Sequence, residues 1–171
     1  MTIEGDNPQD PSGLAIFNNN LFFVAEQQDD LDRELWISDG TDLGTQVFAD
    51  IKIGPDSAFY DSDSMEFELQ SNNGTLLFFS EGNDDQGIEL WKTDGTIIGT
   101  RILKDINLGV ASSVCSNGSG QPQIPHFTLF KVNNETFFSA DDGVTRCELW
   151  STDGTPEGTV RHGDIDPNND D

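Results

Sequence analysis

The chain has 171 residues, enough for one well-formed core or for a short array of small units that share one. Its 8 Lys and Arg against 32 Asp and Glu leave a net charge of −24, with the acidic residues spread along the whole length. That balance argues against nucleic-acid binding, which needs clustered Lys and Arg, and against an anionic membrane surface; it suits divalent cations, basic partners or a saline environment.

Met1 to Asp6 has neither a basic stretch nor an apolar one, so no signal peptide is expected in this chain, and secretion as a mature fragment stays open. No run of about 18 apolar residues is present, so no membrane insertion is expected. Residues 1–12 read as an N-terminal extension. Repeat 1, over 13–57, opens on the apolar run Leu14-Ala15-Ile16-Phe17 and an Asn-rich turn at Asn18 to Asn20. A strand through Phe22-Phe23 follows, then an acidic loop, a strand through Glu34-Leu35-Trp36, a turn at Asp39-Gly40, and a last strand closing at Asp50-Ile51.

Repeat 2, over 58–113, gives the same order: Met65 to Leu69, the turn Asn72-Asn73-Gly74, Phe78-Phe79, Glu89-Leu90-Trp91, Asp94 and Asp105-Ile106. An insertion at 114–125 precedes repeat 3, over 126–166, with Phe127 to Phe130, Asn133-Asn134, Phe137-Phe138, Glu148-Leu149-Trp150, Asp153 and Asp164-Ile165. Residues 167–171 form an acidic tail. From Glu34 to Ile51, Glu89 to Ile106 and Glu148 to Ile165 the three copies align without a gap. Glu-Leu-Trp, Asp-Gly-Thr, a later Gly-Thr and Asp-Ile are identical in all three.

Asn and Gly supply the positive φ of tight hairpin turns, and the Asp side chain of Asp-Gly-Thr accepts from the backbone of its own turn. No segment has a sustained helical period, so the fold class is all-β: three four-stranded antiparallel repeats. Leu35 and Trp36 point to opposite faces of one strand, yet both are large and apolar, as in a β-propeller blade packed on both sides. A β-trefoil, which also has three four-stranded repeats, is the alternative. Three blades are fewer than the usual minimum for ring closure. A propeller reading therefore predicts that the chain is an open arc, completed by self-association or by a longer parent assembly, because apolar end faces are not normally left to water.

The strings Glu-Leu-Trp-Ile-Ser-Asp-Gly-Thr, Glu-Leu-Trp-Lys-Thr-Asp-Gly-Thr and Glu-Leu-Trp-Ser-Thr-Asp-Gly-Thr resemble the ELWxxDGT repeat of large bacterial surface and secreted proteins. The resemblance covers roughly residues 13 to 166. It implies a propeller-like array outside the cell with no established catalytic activity. The chain departs from it in its brevity, in the insertion, and in Cys147, where the other copies have Arg33 and Ile88.

Chemistry-bearing residues are few. The two histidines, His126 and His162, are not at a repeated position as histidines, and no Gly-x-Ser-x-Gly elbow, His-Glu-x-x-His pair or Walker loop occurs. We therefore expect no catalytic residues and no enzyme activity. Candidate Ca²⁺ ligands are the oxygen-rich loops before each signature strand: Asp29, Asp30 and Asp32; Asn83, Asp84 and Asp85; Asp141 and Asp142. Their unequal spacing favours solvated hairpins over a shared site, and the run Asp61-Ser62-Asp63-Ser64-Met65-Glu66 lacks the Gly of an EF-hand loop. Asp39, Asp94 and Asp153 are expected to cap turns, and Trp36, Trp91 and Trp150 to be core rather than sugar-stacking platforms. Sequons lie at Asn73, Asn117 and Asn134. Cys115 and Cys147 are a disulfide candidate, with two free thiols the alternative.

These readings lead to a non-catalytic structural or protein-interaction repeat module, extracellular or on the cell surface. The competing expectation is a Ca²⁺-dependent or glycan-binding propeller, an adhesin or lectin.

Overall fold

The computed structural model describes residues 8–27, 32–53, 56–59, 67–83, 86–115 and 128–163. Sheet 1 comprises β1 (Gln9–Phe17), β2 (Asn20–Glu26), β3 (Arg33–Ser38) and β4 (Gln46–Ala49). Sheet 2 comprises β5 (Gln70–Asn72), β6 (Thr75–Glu81), β7 (Ile88–Thr93) and β8 (Arg101–Lys104). Sheet 3 comprises β9 (Phe130–Val132), β10 (Glu135–Asp141), β11 (Cys147–Thr152) and β12 (Val160–Arg161). Each sheet is an antiparallel meander in chain order. The first strands touch one another, β1 with β5 and β5 with β9, so they form the inner edge of three stacked β-propeller blades. Among the described residues no strand of one repeat pairs with a strand of another, which removes the trefoil, whose barrel is shared by all repeats.

The chemistry of the turns explains the meanders. Asn18 and Asn19 have φ of 49° and 65°, and Asn73 and Gly74 have 47° and 77°. These are the left-handed pairs of a two-residue hairpin turn whose twist matches that of its strands. The first strand starts at Gln9, ahead of the apolar run at Leu14. In sheets 2 and 3 the apolar run instead precedes the paired strand. Phe67, Leu69 and Leu129 are buried, but ladder pairing begins only at Gln70 and Phe130.

The register corrects the sequence alignment at the Phe-Phe doublet. Trp36 lies opposite Phe23 and Trp150 opposite Phe138, the second Phe of each pair, whereas Trp91 lies opposite Phe78, the first. Leu77, not Phe78, is therefore the counterpart of Phe22 and Phe137. Pairing is counted from the hairpin turn, and any large apolar side chain satisfies that place, so the doublet does not mark the register.

Alternation gives every sheet two faces. A Leu-bearing face carries Phe22, Val24 and Leu35 in sheet 1, and a Trp-bearing face carries Phe23, Ala25 and Trp36. One core joins the Leu face of sheet 1, both faces of sheet 2 and the Trp face of sheet 3. Phe79 of sheet 2 meets Phe138 of sheet 3 edge-on at 5.8 Å. Phe23, Ala25 and Trp36 form a separate small cluster on the outer side of sheet 1.

A connector between sheets recurs in the same form. Ala58 N donates to Arg33 O at 3.1 Å, and its own carbonyl accepts from Glu81 N at 2.9 Å. Ser113 does the same between Ile88 O, at 3.0 Å, and Asp141 N, at 2.8 Å. The hydroxyls of Ser57 and Ser112 accept from Arg33 N and Ile88 N. Each connector thus bonds the signature strand of one sheet to the second strand of the next.

Candidate functional site

The repeated signature is a closed hydrogen-bonded turn, built three times with nearly the same geometry. Asp39, Asp94 and Asp153 accept through Oδ1 from the backbone N–H of Thr41, Thr96 and Thr155 at 2.9, 2.9 and 2.8 Å. The hydroxyls of the same three threonines donate to the same oxygens and accept from Gly44, Gly99 and Gly158 N at 3.0 Å each. Thr45, Thr100 and Thr159 close the loop on Ser38, Thr93 and Thr152 at 2.7, 2.8 and 2.7 Å. The second Gly is dictated by space, since a Cβ at Gly44, Gly99 or Gly158 would run into the Asp carboxylate. The hydroxyl and amide donors of Thr41, Thr96 and Thr155 hold all three Asp below the usual carboxylate range.

The signature Glu is a buried clamp. Glu34 Oε2 accepts from Ile51 N at 2.8 Å, and Glu89 accepts from Ile106 N at 2.9 Å and Asn107 N at 3.2 Å. Each carboxyl thereby ties the middle of its sheet to the chain leaving it. Burial pushes Glu34 up to about 8, against the hydrogen bonds from Ile51 and Lys52 and with help from nearby Asp50 and Asp32. Burial likewise pushes Glu89 up to about 7.

Among the described residues, the candidate metal ligands Asp141, Asp142 and Asn83 are engaged in hydrogen bonds within the protein. Asp141 Oδ1 accepts from Gly143 N, and Asp142 Oδ1 from Val144 N, Thr145 N and the Thr145 hydroxyl, all within 2.8 to 3.0 Å. Burial alone would raise Asp142, but these bonds and Arg161 outweigh it and lower it. Asn83 Nδ2 donates to Ile51 O at 2.9 Å, joining sheet 2 to the end of sheet 1. Asp32 is buried. Asp29, Asp30, Asp84, Asp85 and the run from Asp61 to Glu66 lie outside the described residues. Among the described residues no group of three or more His, Cys, Asp and Glu is placed to hold a metal ion.

Trp36 and Trp150 are buried, and Trp91 is half-buried against the core. Their rings are packing groups, and Lys104 Nζ lies 5.7 Å from the Trp150 ring centre. Asn73 Nδ2 donates to Asn134 O at 2.9 Å, so the sequon nitrogen serves the contact between sheets 2 and 3. His162 stacks on Phe137 at 5.6 Å, as Phe48 packs on Phe22 in sheet 1, and its Nε2 lies 2.7 Å from Ser151 Oγ. His126 and Asn117 lie outside the described residues. Cys115 and Cys147 are joined in a disulfide with Cα atoms 5.2 Å apart, which staples the connector to the signature strand of sheet 3.

The surface that stands out is the Leu face of sheet 3. Leu35 and Leu90 are fully buried, but their counterpart Leu149 is 38 % exposed. It shares its face with Phe130, Val132, Phe137 and Val160. Ser139 and Ser151 stand there in place of Val24 and Ile37 of sheet 1, and His162 in place of Phe48. That run of polar replacements in one copy was the signal available in the sequence for a face with different surroundings. The connector also left a trace that the alignment missed: Asp-Ile-x-x-Gly-x-x-Ser begins at both Asp50 and Asp105.

No family model matches the chain, and no curated protein matches it. Among solved structures it is similar to an α-L-arabinofuranosidase, CtGH43, from Clostridium thermocellum ATCC 27405, with 15% sequence identity and a TM-score of 0.40. The match covers 98% of this chain and 54% of that one, so the chain spans about half the length of that structure. A likeness at this level carries no argument about activity.

Proposed function

We propose that the chain is a non-catalytic structural or protein-interaction repeat module of an extracellular or cell-surface assembly, related to the ELWxxDGT repeats it resembles. The observation that carries this reading is the use made of the signature itself. The triplicated Asp-Gly-Thr and Gly-Thr groups spend their hydrogen bonds on their own turns, and Glu34 and Glu89 spend theirs on strand crossings. What the repeat specifies is therefore a stackable sheet, as in other repeat proteins that present surfaces on a rigid scaffold. The Cys115–Cys147 disulfide supports an oxidising location.

Two measurements on the intact chain test the reading. Calorimetric titration with Ca²⁺ should give no saturable heat, and a glycan array should retain no protein. Saturable binding in either would replace the module with the Ca²⁺-dependent or glycan-binding propeller.

A further inference from the structure

In sheets 1 and 2 the first residue of the signature strand is held twice by the connector that leaves the same sheet. Arg33 N donates to Ser57 Oγ at 3.0 Å, and Arg33 O accepts from Ala58 N at 3.1 Å. Ile88 N donates to Ser112 Oγ at 2.9 Å, and Ile88 O accepts from Ser113 N at 3.0 Å. β3 and β7 therefore begin in a clamp made by a Ser and the residue after it. The shared run Asp-Ile-x-x-Gly-x-x-Ser, at Asp50 to Ser57 and Asp105 to Ser112, brings that Ser to its place.

Sheet 3 departs from this at three points. After Asp164-Ile165 the chain has Asn168 where the other copies have Gly54 and Gly109, and Asp171 where they have Ser57 and Ser112. Gly87 and Arg146 lead into β7 and β11 with the same left-handed backbone, φ 65° and 60°. A Cβ at Gly87 would stand 2.7 Å from the Ala111 carbonyl carbon, so Gly leaves the connector room, whereas Arg146 carries a side chain from the same backbone conformation. Cys147, finally, occupies the clamped position itself, in place of Arg33 and Ile88, and is bonded to Cys115. Cys115 arrives on the connector of sheet 2: Ser113 O accepts from Asp141 N at 2.8 Å, Asp141 pairs with Cys147, and Cys115 follows closely in the chain.

We infer that Cys115–Cys147 is a redox-sensitive lock that does for sheet 3 what the outgoing connector does for sheets 1 and 2, gripping the start of β11 from the connector before it. Cys147 is exposed and Cys115 half-buried, so a small dithiol can reach the bond. The dithiol passes two electrons to the disulfide: the Cys115–Cys147 bond breaks to two thiols, and a new S–S bond closes in the reductant. With the lock open, β11 loses the tether at its first residue, while β3 and β7 keep theirs. β11 carries Leu149, the signature Leu that faces solvent, so the order of that face follows the redox state. The inference goes beyond the module reading and is independent of whether the chain binds Ca²⁺ or glycan.

Amide hydrogen exchange of the whole chain, resolved by strand, with and without dithiothreitol, tests this. On reduction, protection should be lost first and most at β10 and β11, with β3 and β7 retained, and oxidised glutathione should restore it. Cys115→Ser combined with Cys147→Ser should give the reduced pattern without reductant. Ser112→Ala removes the acceptor of Ile88 N and should weaken the start of β7 while leaving β11 unchanged in the oxidised chain. Reduction that leaves β11 as protected as before overturns the inference. So does an equal loss in all three sheets, the mark of a cross-link that acts only on the unfolded chain. A Ser112→Ala chain with β7 fully protected overturns it as well, since there would then be no clamp for the lock to replace.

Discussion

Sheets 2 and 3 carry the same signature and the same turn, and they differ in what lies against their Leu faces. In sheet 2 that face holds Leu77, Phe79 and Leu90, all buried, with Lys92 and Lys104 reaching over to Gly154 O and Thr159 O of the next sheet. In sheet 3 the equivalent Leu149 is partly open to solvent and its neighbours are Ser139, Ser151 and His162. The local fold needs only the strand pairing and the turn. Burial of the signature Leu is a property of the neighbouring sheet, so one residue in one motif stabilises the chain by different amounts in different copies.

The sharpest way to break that comparison is to truncate the same Leu in both sheets. Leu90→Ala should cost about 4 kcal/mol, the usual result of leaving a cavity in a close-packed core. Leu149→Ala should cost about 1 to 2 kcal/mol, because more than a third of the residue is already in water. Urea denaturation of the two variants reads the difference directly, and equal losses would mean that sheet 3 is covered as fully as sheet 2.

Sheet 3 alone is stapled to the segment before it. Reduction of Cys115–Cys147, which closes a sequence separation of 32, should lower stability by roughly 3 to 4 kcal/mol on the chain-entropy account. Limited proteolysis with and without reductant should then show the first new cuts in sheet 3, while sheet 2 stays protected.

Acidity separates the signature Glu from the signature Asp. Glu34 and Glu89 have folded-state values raised to about 8 and about 7, so the folded chain holds protons that the unfolded chain has released. Their contribution is fully present below the ordinary carboxylate range and is lost as pH rises through about 7 and then about 8, with a slope of up to about 1.4 kcal/mol per pH unit for each group. Asp39, Asp94 and Asp153 work in the opposite sense, because their lowered values make their contribution present above the usual Asp range and lost as pH falls through the folded values. Melting temperatures should therefore peak in mildly acidic buffer. Glu34→Gln combined with Glu89→Gln should flatten the alkaline side and leave the acid side unchanged.

The smallest effect concerns the turn. Asp94→Ala removes the acceptor of Thr96 N and of the Thr96 hydroxyl and should lower the urea midpoint by less than any of the changes above. The same change at Asp39 or Asp153 should cost about as much, because the three turns are internally satisfied and do not depend on their neighbours. A spread among them as wide as that between Leu90 and Leu149 would show that the turns, too, take their stability from the sheet beside them.

Sequence alone determined whatever is local in this protein. Three copies, four strands each, hairpin turns at Asn-Asn and Asn-Gly and a capped turn at Asp-Gly-Thr all follow from side-chain alternation and from which residues tolerate a positive φ. The pairing of Cys115 with Cys147 was a candidate on the same page, left open because reach depends on how sheet 3 meets its connector. Tertiary structure decided the rest. The Phe doublet of sheet 2 sits one place out of register because pairing is counted from the turn rather than from matching letters. Ser57 and Ser112 act as connectors because two sheets come together around them. Leu35, Leu90 and Leu149 read alike in the chain, and only the stacking order of the sheets makes the first two core and the third surface, since burial is a relation between elements that no single repeat encodes.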